Sequence, residues 1–143
     1  MEQAKTLTNY DINASDYDRF RRPSPKIVSV LRKAFPNDED KLLSIGCGTD
    51  QYAAAFRAGV NIVGLDMSQG MLSIAKTRLQ NLICGNLVIL PFWDNNFNGV
   101  YFMQSFHHVG ANLRISSISR EKIRKQVISE AVRVLKKGPL VIV

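Results

Sequence analysis

The feature that most restricts this chain is an alternation. Five short apolar runs, LLSI at 42–45, NIVGLD at 61–66, LICGNLVIL at 82–90, VYFMQSF at 100–106 and LVIV at 140–143, are separated by stretches with helical spacing. Runs that are apolar on consecutive residues, rather than on every second one, suit strands buried on both faces; such strands form parallel sheets with helices packed above and below. Strands alternating with helices, joined by right-handed crossovers, predict a doubly wound, Rossmann-like α/β domain.

The intervening stretches support that reading. SPKIVSVLRKAF places Ile27, Val28, Leu31 and Phe35 on one helical stripe, with Ser24 as cap and Pro25 in the first turn. A compact helix is expected over 50–58, its alanines allowing close approach to the sheet and Gly59 ending it. Ser68 opens a helix with Met71, Leu72, Ala75 and Leu79 on one face, and a helix over 119–137 aligns Ile123, Val127, Ile128, Ala131, Val134 and Leu135 before Gly138 and Pro139 stop it. Residues 1–40 read as a helical lead-in or cap and 41–143 as the sheet domain. With 143 residues and 45% in the hydrophobic set, the whole suffices for one compact domain with a single core.

Other classes are disfavoured. No apolar run approaches the ~20 residues that cross a bilayer, and the N-terminal stretch lacks the apolar centre of a secretory signal, so a soluble, cytoplasmic protein with no membrane partner is expected. Cys47 and Cys84 show no CxxC spacing and are expected to be buried free thiols. With two histidines and no HExxH pattern, no metal is expected. The net charge of +7 is spread over several segments without a dense block, which fits solvated helix faces better than a nucleic-acid surface.

The chemistry concentrates after the first strand. Gly46 and Gly48 bracket Cys47, so the backbone can turn tightly and approach a ligand with no Cβ in the way, while the following N–H groups suit a carboxylate or phosphate. Asp66 falls 20 positions after Gly46, at the end of the second strand, where an acid can accept hydrogen bonds from both hydroxyls of a ribose. A dinucleotide-type GxGxxG would need a third glycine at position 51, which is Gln51; a GxGxG turn would need it at position 50, which is Asp50.

Four segments, LLSIGCGT, VGLDMSQGML, LPFWDNNFNGVYFMQSFHHV and EAVRVLKKGPLVIV, stand in an order and spacing that resembles the class I S-adenosylmethionine-dependent methyltransferases, specifically the small-molecule, type 11-like branch. The lead-in YDINASDYDRFRRPSPKIV is similar to that branch as well. The resemblance implies S-adenosylmethionine as cofactor and a small-molecule methyl acceptor. It implies that Gly46, Cys47 and Gly48 lie against the methionine part, that Asp66 binds the ribose and that Met67 packs on the adenine. It further implies that Asn86 and Leu87 read the adenine edge, that Gln104 sits beside the reacting end and that Tyr17 closes over the cofactor. The chain departs from the family pattern at Ser44, Asn86 and Asn98, where the family usually has acids, at Asp50 in place of a glycine, and in KKGP for KPGG. Asp50 adds a negative charge near the cofactor's carboxylate and is expected to repel it unless the side chain caps the next helix and points away.

Methyl transfer needs alignment more than a catalytic triad, and a base only where the acceptor keeps its proton; His107 or His108 is the candidate. Phe92, Trp93 and Phe97 suit either a lid or acceptor wall or a cover for the sheet end. Arg21 and Arg22 suit an anionic acceptor or a solvated turn. Members of the family continue past the fifth strand, so the resemblance implies a fold truncated there with LVIV as an edge strand; either the chain is a piece or natural truncation of a larger protein, or a second copy covers that edge as a homodimer. The alternative is a methyltransferase-like binding or assembly module without turnover.

Overall fold

A computed structural model describes residues 10–56, 58–103, 105–110 and 116–143, with side chains from residue 14 onward. Helices α1 (Tyr10–Phe20) and α2 (Pro25–Ala34) precede β1 (Lys41–Ile45). β2 (Asn61–Asp66), α3 (Gln69–Ala75), β3 (Asn81–Cys84), β4 (Gly99–Phe102), α4 (Ser117–Val134) and β5 (Leu140–Ile142) follow. The five strands form one parallel sheet in the order β3-β2-β1-β4-β5. The chain lays β2 and β3 to one side of β1, then returns to place β4 on the other, so the order reverses between β1 and β4.

Successive residues of the strands feed opposite faces. Leu43, Ile45, Val63, Leu65, Val100 and Phe102 pack with Val127, Ala131 and Val134 of α4, together with Phe97 and Leu90 from the long loop after β3. Leu42, Ile62 and Tyr101 pack on the other face with Leu31 and Phe35 of α2 and with Tyr52, Ala55 and Leu79. This is the doubly wound arrangement expected from the alternation; Met71, Leu72 and Ala75 are buried along α3, whereas the helix ends before Leu79, which is buried in the turn that follows. Ser68 caps α3, its hydroxyl accepting from the Met71 N–H at 3.1 Å. Pro25 occupies the first turn of α2, but the Ser24 side chain does not cap it; the Ser24 N–H instead donates to the Tyr52 hydroxyl at 3.0 Å.

Several expectations are corrected. The stretch after the glycine turn forms only a short 3-10 helix, Gln51–Ala55, because Asp50 adopts a left-handed conformation (φ 44°) that starts no α-helix. The third strand ends at Cys84: residues beyond Gly85 leave the sheet, and the Asn86 side chain ties back to the Val88 N–H at 3.0 Å. β4 stops at Phe102, and Phe106–His108 form a single 3-10 turn. Cys47 is buried, but Cys84, at the end of the edge strand β3, is exposed. Phe97 is core, packed edge-on to Phe92 at 4.9 Å between centroids, whereas Trp93 stands 86% exposed. Among the described residues, no helix is long and apolar enough to cross a membrane.

Candidate functional site

The site lies where the strand order reverses, at the carboxyl ends of β1 and β4, the usual place for a ligand in an open α/β sheet. Gly46 (φ 64°) and Gly48 (φ 55°) both occupy the left-handed region, which lets the chain leave β1 and double back. Their surroundings differ. A Cβ on Gly46 would press on Ser105 at 3.0 Å, so β1 and the end of β4 close on each other there. A Cβ on Gly48 would meet nothing within 4 Å; the missing side chain opens onto free space, as a cradle for a ligand requires.

Asp66 organises the cradle. Its Oδ2 accepts from the Gly48 N–H at 2.8 Å and its Oδ1 from the Ser68 N–H at 2.9 Å, so one carboxylate joins the turn after β1 to the start of α3. The Cys47 side chain lies over Gly64 of β2, where an added Cβ would come within 2.9 Å of its sulfur. Burial first, then the charges of Asp50 and Asp66, push its pKa well above the ordinary value, so the thiol is neutral and no nucleophile.

α1 closes the other side. Asp18 pairs with Arg78 at 2.8 Å and accepts from Gln51 Nε2 through both its carbonyl (2.7 Å) and its carboxylate (3.0 Å), while Arg78 also donates to the Thr49 carbonyl at 2.9 Å. These bonds hold α1 against the turn, and with it Tyr17, whose ring carries the Arg21 guanidinium 5.2 Å from its centroid. Tyr17, Arg21, Arg22, Cys47, Thr49, Asp50 and Met103 line a narrow cavity of ≈ 40 Å³, enough for one end of a ligand; the remainder would lie along the open side of Gly48. A larger depression of ≈ 570 Å³ sits by Asn61 and Asn81, at the opposite end of β2 and β3, and contains none of the candidate cofactor residues.

Asp50 does not cap the next helix. Its carboxyl is buried, accepts from the Tyr101 hydroxyl at 3.2 Å and faces the buried Ser44. Burial pushes the pKa of Asp50 up to about 6, against the opposing pull of the Ser44 and Tyr101 hydroxyls. Burial and the neighbouring Asp50 likewise push the Tyr101 phenol well up.

The structure thus brings together Tyr17, Gly46, Cys47, Gly48 and Asp66. Leu87 belongs with them, its side chain 3.8 Å from where a Gly46 Cβ would stand. Met67 is 66% exposed beside Asp66, available to lie on a flat ring. Asn86 is exposed, its carbonyl engaged locally. Gln104 lies outside the described residues. Thr49, Gln51, Met103 and Ser105 also border the site; Ser105 carries no recognisable sequence signal and donates to the Ile45 carbonyl at 3.0 Å, a contact set only by the pairing of β4 with β1. Beyond β4 the His107 and His108 rings lie 3.9 Å apart between centroids. Desolvation, then His107 and Arg21, hold the pKa of His108 below the ordinary value.

A parallel sheet with a bare glycine turn at the reversal of strand order and an acid at the tip of the neighbouring strand defines a nucleoside-binding α/β domain. The profile of the methyltransferase domain family matches residues 43–143. A demethylmenaquinone methyltransferase from Symbiobacterium thermophilum is 33% identical over 151 aligned positions, covering 94% of this chain and 53% of the relative. The biotin biosynthesis bifunctional protein BioHC of Saccharophagus degradans is 28% identical over 105 positions, 68% of this chain and 19% of the relative. The crystal structure of an S-adenosylmethionine-dependent methyltransferase from Thermotoga maritima superposes with a TM-score of 0.69 at 20% identity, covering 93% of this chain and 58% of that one, which speaks for the fold. The chain belongs to the S-adenosylmethionine-dependent methyltransferase domain family, and spans about half the length of the demethylmenaquinone methyltransferase.

Proposed function

We propose that this chain is the cofactor-binding part of a methyltransferase that acts on a small-molecule acceptor rather than a nucleic acid. The observation that carries the reading is the free space at Gly48, flanked by Asp66 on one side and by Tyr17 of α1 on the other. Bound there, S-adenosylmethionine would supply a methyl group already activated for displacement, leaving the protein to align the partners and exclude water. Asp66 would accept from the ribose hydroxyls, Met67 and Leu87 would flank the adenine, and Asn86 would offer its amide N–H groups to the ring edge. Gly46, Cys47 and Gly48 would pass beneath the amino-acid part, with Tyr17 closing over it. His108, kept neutral by its surroundings, would accept the acceptor's proton on a ring nitrogen where the acceptor retains one.

Calorimetric titration with S-adenosylhomocysteine tests this reading. Heat of binding with the intact protein, reduced at least tenfold in affinity in Asp66→Ala, is the expected result; no heat with the intact protein would overturn it. A second reading, a binding or assembly module without turnover, draws on the narrowness of the ≈ 40 Å³ cavity. Nucleoside binding without methyl release across an acceptor panel would favour it.

A further inference from the structure

We infer that Asp50 makes the pocket discriminate by charge, favouring the cationic sulfonium cofactor over its neutral, demethylated product; the inference rests on the cofactor reading above. The buried carboxyl lines the same narrow cavity as Tyr17, Thr49 and Met103. The groups that donate to it or pull on it at close range are neutral, the Tyr101 hydroxyl at 3.2 Å, the Ser44 hydroxyl and the Ala53 N–H, and among the described residues no cation forms an ion pair with it. The Arg78 guanidinium exerts a weak pull from the far side of the turn, where it is committed to Asp18 and the Thr49 carbonyl. The carboxyl is also held in place: the Asp50 N–H donates to the Cys47 carbonyl at 2.8 Å and its own carbonyl accepts from Ala53 at 3.1 Å, which fixes the left-handed turn.

A buried carboxylate without a counter-ion is costly, and the cost falls when a positive charge enters the same low-dielectric space. S-adenosylmethionine and S-adenosylhomocysteine both carry the amino-acid ends; they differ in the methyl group and the sulfonium charge. The cationic ligand keeps Asp50 ionised, whereas the neutral one leaves it free to take up a proton, so the ratio of the two affinities depends on pH. Among the described residues, the other titratable and charged groups around the cavity are Cys47 on the turn, Tyr52 just after it, Tyr101 on β4, Asp66 on β2, Tyr17, Arg21 and Arg22 on and after α1, and His107 and His108 beyond β4. Their contribution persists in an Asp50→Asn variant and is thereby separated.

The experiment is calorimetric titration of the full chain with both nucleosides at pH 5, 6 and 7.5, for the natural sequence and for Asp50→Asn. A one-unit fall in the pKa of Asp50 on binding the cation corresponds to roughly a tenfold change. The affinity ratio of S-adenosylmethionine to S-adenosylhomocysteine is therefore expected to rise about five- to tenfold from pH 5 to 7.5, and to stay flat in Asp50→Asn. Carbon NMR of the Asp50 carboxyl in the natural sequence gives a readout free of any variant's folding: its midpoint falls with the cationic nucleoside and holds with the neutral one. A pH-independent ratio, a ratio that still rises in Asp50→Asn, or an unmoved midpoint would overturn the inference while leaving the cofactor reading in place. Failure of both nucleosides to bind at every pH would overturn the cofactor reading, and the inference with it.

Discussion

Asp50 stores a pH dependence that can be signed without any ligand. Its folded-state pKa, about 6, lies above the ordinary 3.8, so between those values the folded chain binds more protons than the unfolded one. The sheet end is most stable where Asp50 is neutral, and that stability is lost as pH rises through about 6. Asp50→Asn, which keeps a residue tolerant of the left-handed turn, should raise stability at pH 8 by about 1–3 kcal/mol and have little effect at pH 4, as read from urea denaturation. Gly48→Ala should cost about 1–2 kcal/mol for its positive φ yet still fold, since no atom stands in the way; it should weaken nucleoside binding at least tenfold by calorimetry. The glycine turn and Asp66 were legible from spacing alone. The inward aim of Asp50 was not, because a helix-capping acid and a buried one read the same until Ser44 and Tyr101 are known to face it.

Between elements, guanidinium groups fasten both faces of the sheet. Arg133 of α4 donates to the Phe92 and Leu90 carbonyls, to Asp94 and to Glu130, and Glu130 in turn accepts from the Leu90 N–H at 2.7 Å; together they pin the loop that delivers Phe97 to the core. Arg133→Ala should lower stability by roughly 1–3 kcal/mol in urea, since it strands buried carbonyls, and Arg133→Lys should recover only part, lacking the planar fork. On the other face Arg78 and Gln51 lower the pKa of Asp18 to about 2. Its contribution is present above the ordinary carboxylate range and fades as pH falls from about 4 toward 2. Asp18→Asn should therefore speed amide exchange in α1 at pH 7, with little further effect near pH 2. Helical periodicity located α2 and α4 within a few residues, and the start but not the end of α3. It misjudged 50–58 and 82–90, where a left-handed aspartate and a glycine exit from the sheet overrode alanine content and apolar character.

For the molecule as a whole, the apolar alternation was sufficient to imply the layered sheet, because residues hidden on both sides leave few other arrangements. It did not reveal the contact between the glycine turn and Ser105, which exists only because β4 comes to rest beside β1. Since the site is assembled from α1, β1, β2 and β4, occupancy should tighten the entire domain. S-adenosylhomocysteine at about a hundred times its dissociation constant should stabilise it by roughly 2.7 kcal/mol, seen as a rise of several degrees in the melting midpoint, and the rise should be much reduced in Asp66→Ala. The Gly48 amide resting on Asp66 has a last consequence. The side chain proposed to greet the sugar is also the strut beneath the floor on which the sugar would sit, so Asp66→Ala removes handle and floor together. Exchange of that single amide hydrogen, slowed on occupancy in the natural chain, gauges the floor separately.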